Sequence, residues 1–201
     1  MRTEDGGRRT EDGGQRTEDG GRRAEDGGRR AEGNGLAFVA LGSNLGDSPR
    51  TILSAMRHLQ EISDEPLLRS SLWQTAPVDC PPDSPPFVNA VVGLLPRAGE
   101  TPESLFAKLQ GLEMKFGRQP KKVLNEARCL DLDLIAFGRE RRATEELSLP
   151  HPRAHQRRFV LQPLSEIAPD YLLPGQIKTV AQLLAQSVLD PSVRKVPRRA
   201  G

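Results

Sequence analysis

The sequence predicts an α+β fold in which helices pack on an antiparallel sheet, in the order β-α-β-β-α-β. Three observations carry this prediction: short apolar runs bounded by turn residues, two stretches with apolar residues at helical spacing, and the alternation of the two from residue 36 onward.

Leu36-Ala-Phe-Val-Ala-Leu41 is an apolar run ended by Gly42-Ser-Asn-Leu-Gly-Asp47, which reads as a buried strand and a turn. Ser48-Pro49 supplies an N-cap and a first-turn proline, and Ile52, Met56, Leu59 and Ile62 follow at helical spacing. Residues 67–74 form a second strand. Residues 87–95 form a third, after a loop rich in proline (Pro81, Pro82, Pro85, Pro86). Thr101-Pro102 opens a second helix with Leu105, Leu109, Leu112 and Phe116 on one face, and Gly117 closes it. A fourth strand spans about 129–137, a last amphipathic helix about 178–189, and a basic tail ends the chain. This order is ferredoxin-like: two helices cover one face of the sheet, the other face stays open, and extra elements follow at the C-terminus.

Composition divides the 201 residues unevenly. Residues 1–35 are a seven-residue repeat (RRTEDGG, QRTEDGG, RRAEDGG, RRAEGNG) holding ten of the 19 glycines and 17 charges. With no apolar position there is no seam for a coiled coil, and the segment is expected to be disordered. It matches neither a signal peptide nor a transit peptide. The ordered domain is expected over 36–190, with a basic tail at 191–201; about 166 residues outside the repeat bury roughly 70% of the unfolded chain's surface in one core. A net charge of +2 argues against a dedicated nucleic-acid binder. No apolar run approaches the roughly 20 residues that cross a bilayer. Cys80 and Cys129 read as ordinary thiols of a reducing cytosol. Separately, the chain is expected to be a monomer with small-molecule partners.

The strands show where chemistry sits. In 87–95, Val88, Ala90, Val92 and Leu94 form an apolar side suited to the helix-covered core, while Phe87, Asn89 and Val91 face the other way. In 129–137, Leu130, Leu132, Leu134 and Ala136 form the core side, with Asp131 and Asp133 opposite. Strand residues i and i+2 point the same way, so the two carboxylates stand side by side on the open face. Adjacent anions repel unless a cation lies between them, and oxygen-only ligands favour Mg²⁺ with phosphate oxygens; the plainer alternative is a solvated strand with two solubilising acids. Lys115, Arg118, Lys121, Lys122 and Arg128 stand against Glu126 alone in the approach to this pair, which suits a polyphosphate. The third cluster is His151-Pro-Arg-Ala-His155-Gln-Arg157-Arg158-Phe159. Pro152 between the histidines argues against zinc, and the arginines suit bidentate phosphate contacts.

Four motifs, A-L-G-S-N-L-G-D (40–47), P-P-F-V-N-A (85–90), A-R-C-L-D-L-D-L-I (127–135) and L-P-H-P-R-A-H-Q-R-R-F-V-L-x-P-L (149–164), together resemble the 6-hydroxymethyl-7,8-dihydropterin pyrophosphokinase family of folate biosynthesis, from about Ala37 to Gly175. The resemblance implies transfer of the diphosphate of ATP to the pterin's hydroxymethyl oxygen with release of AMP. It implies that Asp131 and Asp133 hold two Mg²⁺ ions and that Arg118, Arg128, His151 and Arg157 act at the phosphates. Gln110, Glu113, Lys121, Leu147 and Ser148 match positions on the ATP side. The pterin would lie between Phe87 and Phe159, with Asn89 at its polar edge and Thr75, Pro77 and Val78 completing the pocket. The chain departs from the family at Asn125, where many relatives carry tryptophan, and at Glu126-Ala127-Arg128 in place of Gly/Ala-Pro-Arg, so loop closure and ATP affinity are expected to differ. Two other readings share the frame: an RNA-recognition module, which Asp131 and Asp133 argue against, and a non-catalytic pterin or nucleotide sensor.

Overall fold

The computed structural model describes residues 35–77, 84–118 and 127–197. Most of the N-terminal repeat, together with Val78, Cys80, Pro81, Pro82, Lys121, Lys122, Asn125 and Glu126, lies outside the described residues. The fold is mixed α/β with an antiparallel sheet. Its elements are β1 (Ala37–Ser43), α1 (Ser48–Glu61), β2 (Leu68–Arg69), β3 (Trp73–Thr75), β4 (Phe87–Leu94), α2 (Pro102–Lys115), β5 (Asp131–Phe137), β6 (Arg142–Ala143), β7 (Ser148–Leu149), α3 (Arg158–Ile167), α4 (Val180–Gln186) and β8 (Arg194–Lys195). The sheet runs β5-β1-β4-β3-β8, with β2 also on β4, and β6-β7 form a separate hairpin. Among the described residues, no helix is long and apolar enough to cross a membrane.

Helix starts follow local capping chemistry. Asp47, not Ser48, caps α1: its carboxylate accepts the N–H of Arg50 at 3.2 Å, while the Ser48 hydroxyl accepts from Ser43. Thr101 and Ser104 form a reciprocal capping box on α2. Both helices pack on one face of the sheet, where Ile52, Met56, Leu59, Leu105 and Leu109 meet Val39, Leu41, Val88, Ala90, Val92 and Leu94. Each large aliphatic side chain buried here contributes roughly 1.5–3 kcal/mol.

The structure corrects the sequence reading at further places. The face expected to be open carries a second core: α3 sets Val160, Leu161 and Leu164 against Phe38, Val91, Ile135 and Ala136, while Asp131 and Asp133 stay partly exposed. Helix α3 was not legible because Pro163 interrupts its pattern and Arg157, its N-cap, makes no side-chain cap bond.

The second strand is broken. Leu68 and Arg69 face Gly93 and Val92, whereas Trp73 faces Asn89, so three residues oppose two. Ser70 bridges the bulge, donating its N–H to Val91 O (3.0 Å) and accepting the Val91 N–H on its hydroxyl (2.9 Å).

A second bulge moves Ala136. Phe38 pairs with Ala136 but Val39 pairs with Leu134, leaving Ile135 as the extra residue in β5. Leu130, Leu132 and Leu134 keep to the first core, and Ala136 turns with Ile135 to the second.

The last helix is shorter than 178–189, because a Thr179–Gln182 capping box fixes its start and Ser187 is already extended. Beyond it, within the segment read as a basic tail, Arg194 and Lys195 pair with Gln74 and Trp73.

Candidate active site

Strand β1 lies between β4 and β5, and its register sets the floor of the site. Asn89, Gly42 and Asp131 stand in one row across the three strands; Val91, Ala40 and Asp133 stand in the next. The central position of each row carries a small residue. A Cβ added at Gly42 would lie 3.4 Å from Asn89 Oδ1 and 3.9 Å from Asp131 Cβ, so the flanking side chains lean over the glycine.

Two groups of charges form around the aspartates. In the first, Arg128 Nη1 donates to Asp131 Oδ1 at 2.7 Å and Arg118 Nη1 lies 3.5 Å from the same oxygen. Arg118 also pairs with Glu113 of α2, a carboxylate only 3% exposed, which accepts the Leu132 N–H at 2.8 Å. Burial pushes the Glu113 carboxyl above the usual carboxylate range, against the opposing pull of the Leu132 N–H and Arg118. Glu113 thus braces β5 and Arg118.

In the second group, Arg157 Nη1 lies 3.9 Å from Asp133 Oδ2, and its guanidinium stands over the Phe159 ring, 5.4 Å from the centroid. Desolvation, and after it the charge of Asp131, pushes the Asp133 carboxyl up; His151, Arg157 and Arg128 oppose this. The Asp133 side chain is still 38% exposed, open to an incoming cation. The carbonyl of the bulged Ile135 accepts the His151 N–H at 2.9 Å, and His151 Nδ1 accepts the Arg153 N–H at 3.2 Å. The neutral ring therefore carries its proton on Nε2. Burial holds the imidazole below its ordinary value; Arg157 and Arg153 add to this, and Asp133 opposes it.

Asn89, 7% exposed, donates its amide to Thr75 Oγ1 at 2.9 Å, while Phe87 sits across from Thr75 in the ladder. Both Phe87 and Phe159 are half-buried, as is Pro77. On the remaining flank, Gln110 is exposed on α2 and Ser148 is exposed on β7, but Leu147 is buried in the first core.

Sequence reasoning treated Asn44 only as a turn residue. In the fold it is 3% exposed, exchanges backbone contacts with Arg128 (Asn44 N to Arg128 O, 3.1 Å; Arg128 N to Asn44 Oδ1, 2.8 Å) and donates to Pro85 O at 3.4 Å. One side chain thus fixes the entry to β5 and the entry to β4. An asparagine directly after a strand, in a glycine-bounded turn, was the available signal.

Residues 38–169 match the family described as 7,8-dihydro-6-hydroxymethylpterin-pyrophosphokinase (HPPK). The chain belongs to this family. It is 37% identical over 150 residues to the 2-amino-4-hydroxy-6-hydroxymethyldihydropteridine pyrophosphokinase of Synechocystis sp., with 75% of each chain covered. Identity to the Haemophilus influenzae protein of the same name is 35% over 151 residues, covering 75% of this chain and 91% of that one. Wild-type Plasmodium falciparum HPPK-DHPS, solved with SDX-DHP, shares the fold at a TM-score of 0.59 and 14% identity, over 75% of this chain and 44% of that longer one. This chain therefore spans less than half the length of that structure. The HPPK match takes in both charge groups, the Asn89 row and α3.

Proposed function

We propose that this HPPK-family chain transfers the diphosphate of ATP to the hydroxymethyl oxygen of 6-hydroxymethyl-7,8-dihydropterin and releases AMP. The observation that carries the reading is the row Asn89–Gly42–Asp131. It sets a polar edge-reader and a carboxylate on either side of a glycine, with Asp133 one row below. A flat heterocycle laid over Gly42 meets Asn89 Oδ1 on one side and has its substituent directed to the aspartates on the other. Phe87 and Phe159 offer its two apolar faces, and Thr75, Pro77 and Val78 complete its edge.

Asp131 and Asp133 suit Mg²⁺. Burial, and after it the neighbouring Asp131 charge, pushes the Asp133 carboxyl up, and small residues leave room above β1. Among the described residues, no group of three or more His, Cys, Asp or Glu forms a ligand set, so phosphate oxygens and water would complete the coordination of the two ions expected. When bound, Mg²⁺ supplies charge neutralisation and orientation at the transferred phosphorus. The chain's own groups act around it. Arg118 and Arg128, held by Asp131, Glu113 and Asn44, donate to phosphate oxygens. His151, kept neutral by burial, donates from Nε2, and Arg157 covers the transferred group. Gln110 and Ser148, both exposed, serve the nucleotide side, with Glu113 acting beneath it; the resemblance adds Lys121, outside the described residues, and Leu147, whose side chain is buried in the first core.

The strand order β5-β1-β4-β3, with α1 and α2 on one face, supports the ferredoxin-like reading of the frame. A domain over 36–190, to which Arg194–Lys195 adds an edge strand, and a monomer in the cytoplasm remain part of this proposal.

The test is AMP release from ATP with Mg²⁺ and 6-hydroxymethyl-7,8-dihydropterin, comparing the whole chain with Asp131→Ala. Pterin-dependent AMP that the variant loses supports diphosphate transfer. ADP in place of AMP overturns the mechanism, and pterin binding without nucleotide turnover favours a sensor.

A further inference from the structure

An open cavity of about 330 Å³ lies at the β6-β7 hairpin and is walled by Arg141, Arg142, Ala143, Leu149, Pro150, Pro174 and Gly175. Its volume is at the lower end of the ~300–1,000 Å³ range of small-molecule sites. The two arginines differ in status. Arg142 is neutralised twice, by Glu103 at 2.5 Å and by Glu140 at 2.7 Å. Arg141 forms no ion pair with any described residue, although its chain neighbourhood is acidic enough to satisfy Arg142.

What holds Arg141 is shape. A Cβ added to Gly175 would come within 2.9 Å of Arg141 Nη2, and Gly175 has φ +87°. The guanidinium is therefore laid against a turn that only glycine makes without strain, with one side left to solvent. Next to it are the apolar surfaces of Leu149, Pro150 and Pro174. A single unneutralised planar cation beside apolar walls recognises one planar anion on a flat apolar body: the fork of N–H donors takes the anion, and the walls take the ring.

We propose that this cavity binds a small aromatic monoanion, of the aryl-carboxylate class, through Arg141. Arg142 serves as wall and tether, since Glu103 ties the hairpin to α2. None of its walls is a residue assigned to ATP or dihydropterin, although Ala143 pairs with Ser148, and Leu149 and Pro150 run directly into His151.

The experiment is a titration of the full chain with benzoate, followed by amide NMR, with neutral benzamide as the control. Saturable shifts are expected at Ala143 and Gly175, weaker by about tenfold for benzamide and lost in Arg141→Gln, in line with the worth of one charged hydrogen-bonded contact. Ala143→Leu, which fills the cavity while keeping the cation, is expected to abolish binding as well. Excess Mg²⁺ with a non-hydrolysable ATP analogue leaves the benzoate shifts in place. Shifts that persist in Arg141→Gln, equal binding of benzamide, displacement by the nucleotide, or no saturation each overturn the proposal. Because the readout is binding, it stands or falls independently of AMP release.

Discussion

Arg157 stands over the ring of Phe159, 5.4 Å from its centroid, while its Nη1 lies 3.9 Å from Asp133. The same guanidinium thus covers a surface assigned to the pterin and neighbours a carboxylate assigned to the metal. For both ligands to bind, it has to leave the ring, and a phosphate is the group that would draw it away. Arg157→Ala is expected to lower the rate of AMP formation by about 10²–10³-fold, the loss typical of a donor to developing charge. Dihydropterin affinity, measured by calorimetry without nucleotide, should hold or improve. A pterin affinity that falls together with the rate would remove the masking role of Arg157.

Gly42 permits a sharper test of the floor. A methyl group there meets Asn89 Oδ1 at 3.4 Å and Asp131 Cβ at 3.9 Å, ordinary contact distances, so the fold should tolerate Gly42→Ala. The methyl nevertheless fills the space over which the heterocycle would lie. Dihydropterin binding should weaken by at least about tenfold, with thermal unfolding displaced by only a few degrees. Undiminished binding would place the pterin elsewhere.

Asn44→Ala strips the Arg128 N–H of its buried acceptor and releases Pro85. A cost of about 1–3 kcal/mol is expected from the unsatisfied donor. Urea unfolding measures this, and a rise in KM for both substrates should accompany it, since the side chain anchors both strand entries. A stability loss with unaltered KM values would make Asn44 purely structural.

The Asp133–His151 pair gives a signed prediction for pH. Asp133 is the charge that holds the His151 imidazole up against burial. Asp133→Asn should therefore move the His151 titration, followed by NMR at Cε1, further below the ordinary value of about 6.5. An upward move would contradict the assigned electrostatics.

Glu113 supplies a stability test with the opposite sign from an exposed ion pair. Its folded pKa is raised, so its contribution is fully present below the unfolded value near 4.5 and is lost as pH rises through the folded value. Asp133 behaves likewise, so the difference between the wild-type chain and Glu113→Gln isolates the Glu113 part. Glutamine keeps an acceptor for the Leu132 N–H. The stability advantage of the wild-type chain, from urea midpoints, should shrink between about pH 4 and pH 7. An advantage that grows over this interval would refute the raised pKa.

Much of this was legible in the chain. Alternation in β4 placed Phe87 and Asn89 opposite Val88, Ala90 and Val92, because an uninterrupted antiparallel strand obeys a period of two. The same rule placed Asp131 and Asp133 together but failed at Ala136, three residues after Asp133, because a bulge breaks the period and leaves no mark in residue type. The split between β2 and β3 escaped for the same reason. Helix α3 was hidden by Pro163, since propensity argues against a helix that tertiary packing nevertheless secures. The bracing roles of Glu113 and Asn44 come from side chains reaching across elements, 19 residues apart in one case and 84 in the other, and no local pattern reports such contacts.

The extra residue at Ile135 divides β5 into two halves with different duties. The half before it presents Asp131 and Asp133 to the ligand face. The half after it closes the second core, and at the join a carbonyl anchors the backbone of His151. The backbone of His151, the histidine proposed to act at the phosphates, is thus anchored at a counting offset in a neighbouring strand. Transplanting this site onto another sheet would require carrying the offset along with the side chains. A regular strand bearing the same aspartates would cost His151 its bond to β5 and leave it only the contacts of its own turn, to Arg153 and Ala154.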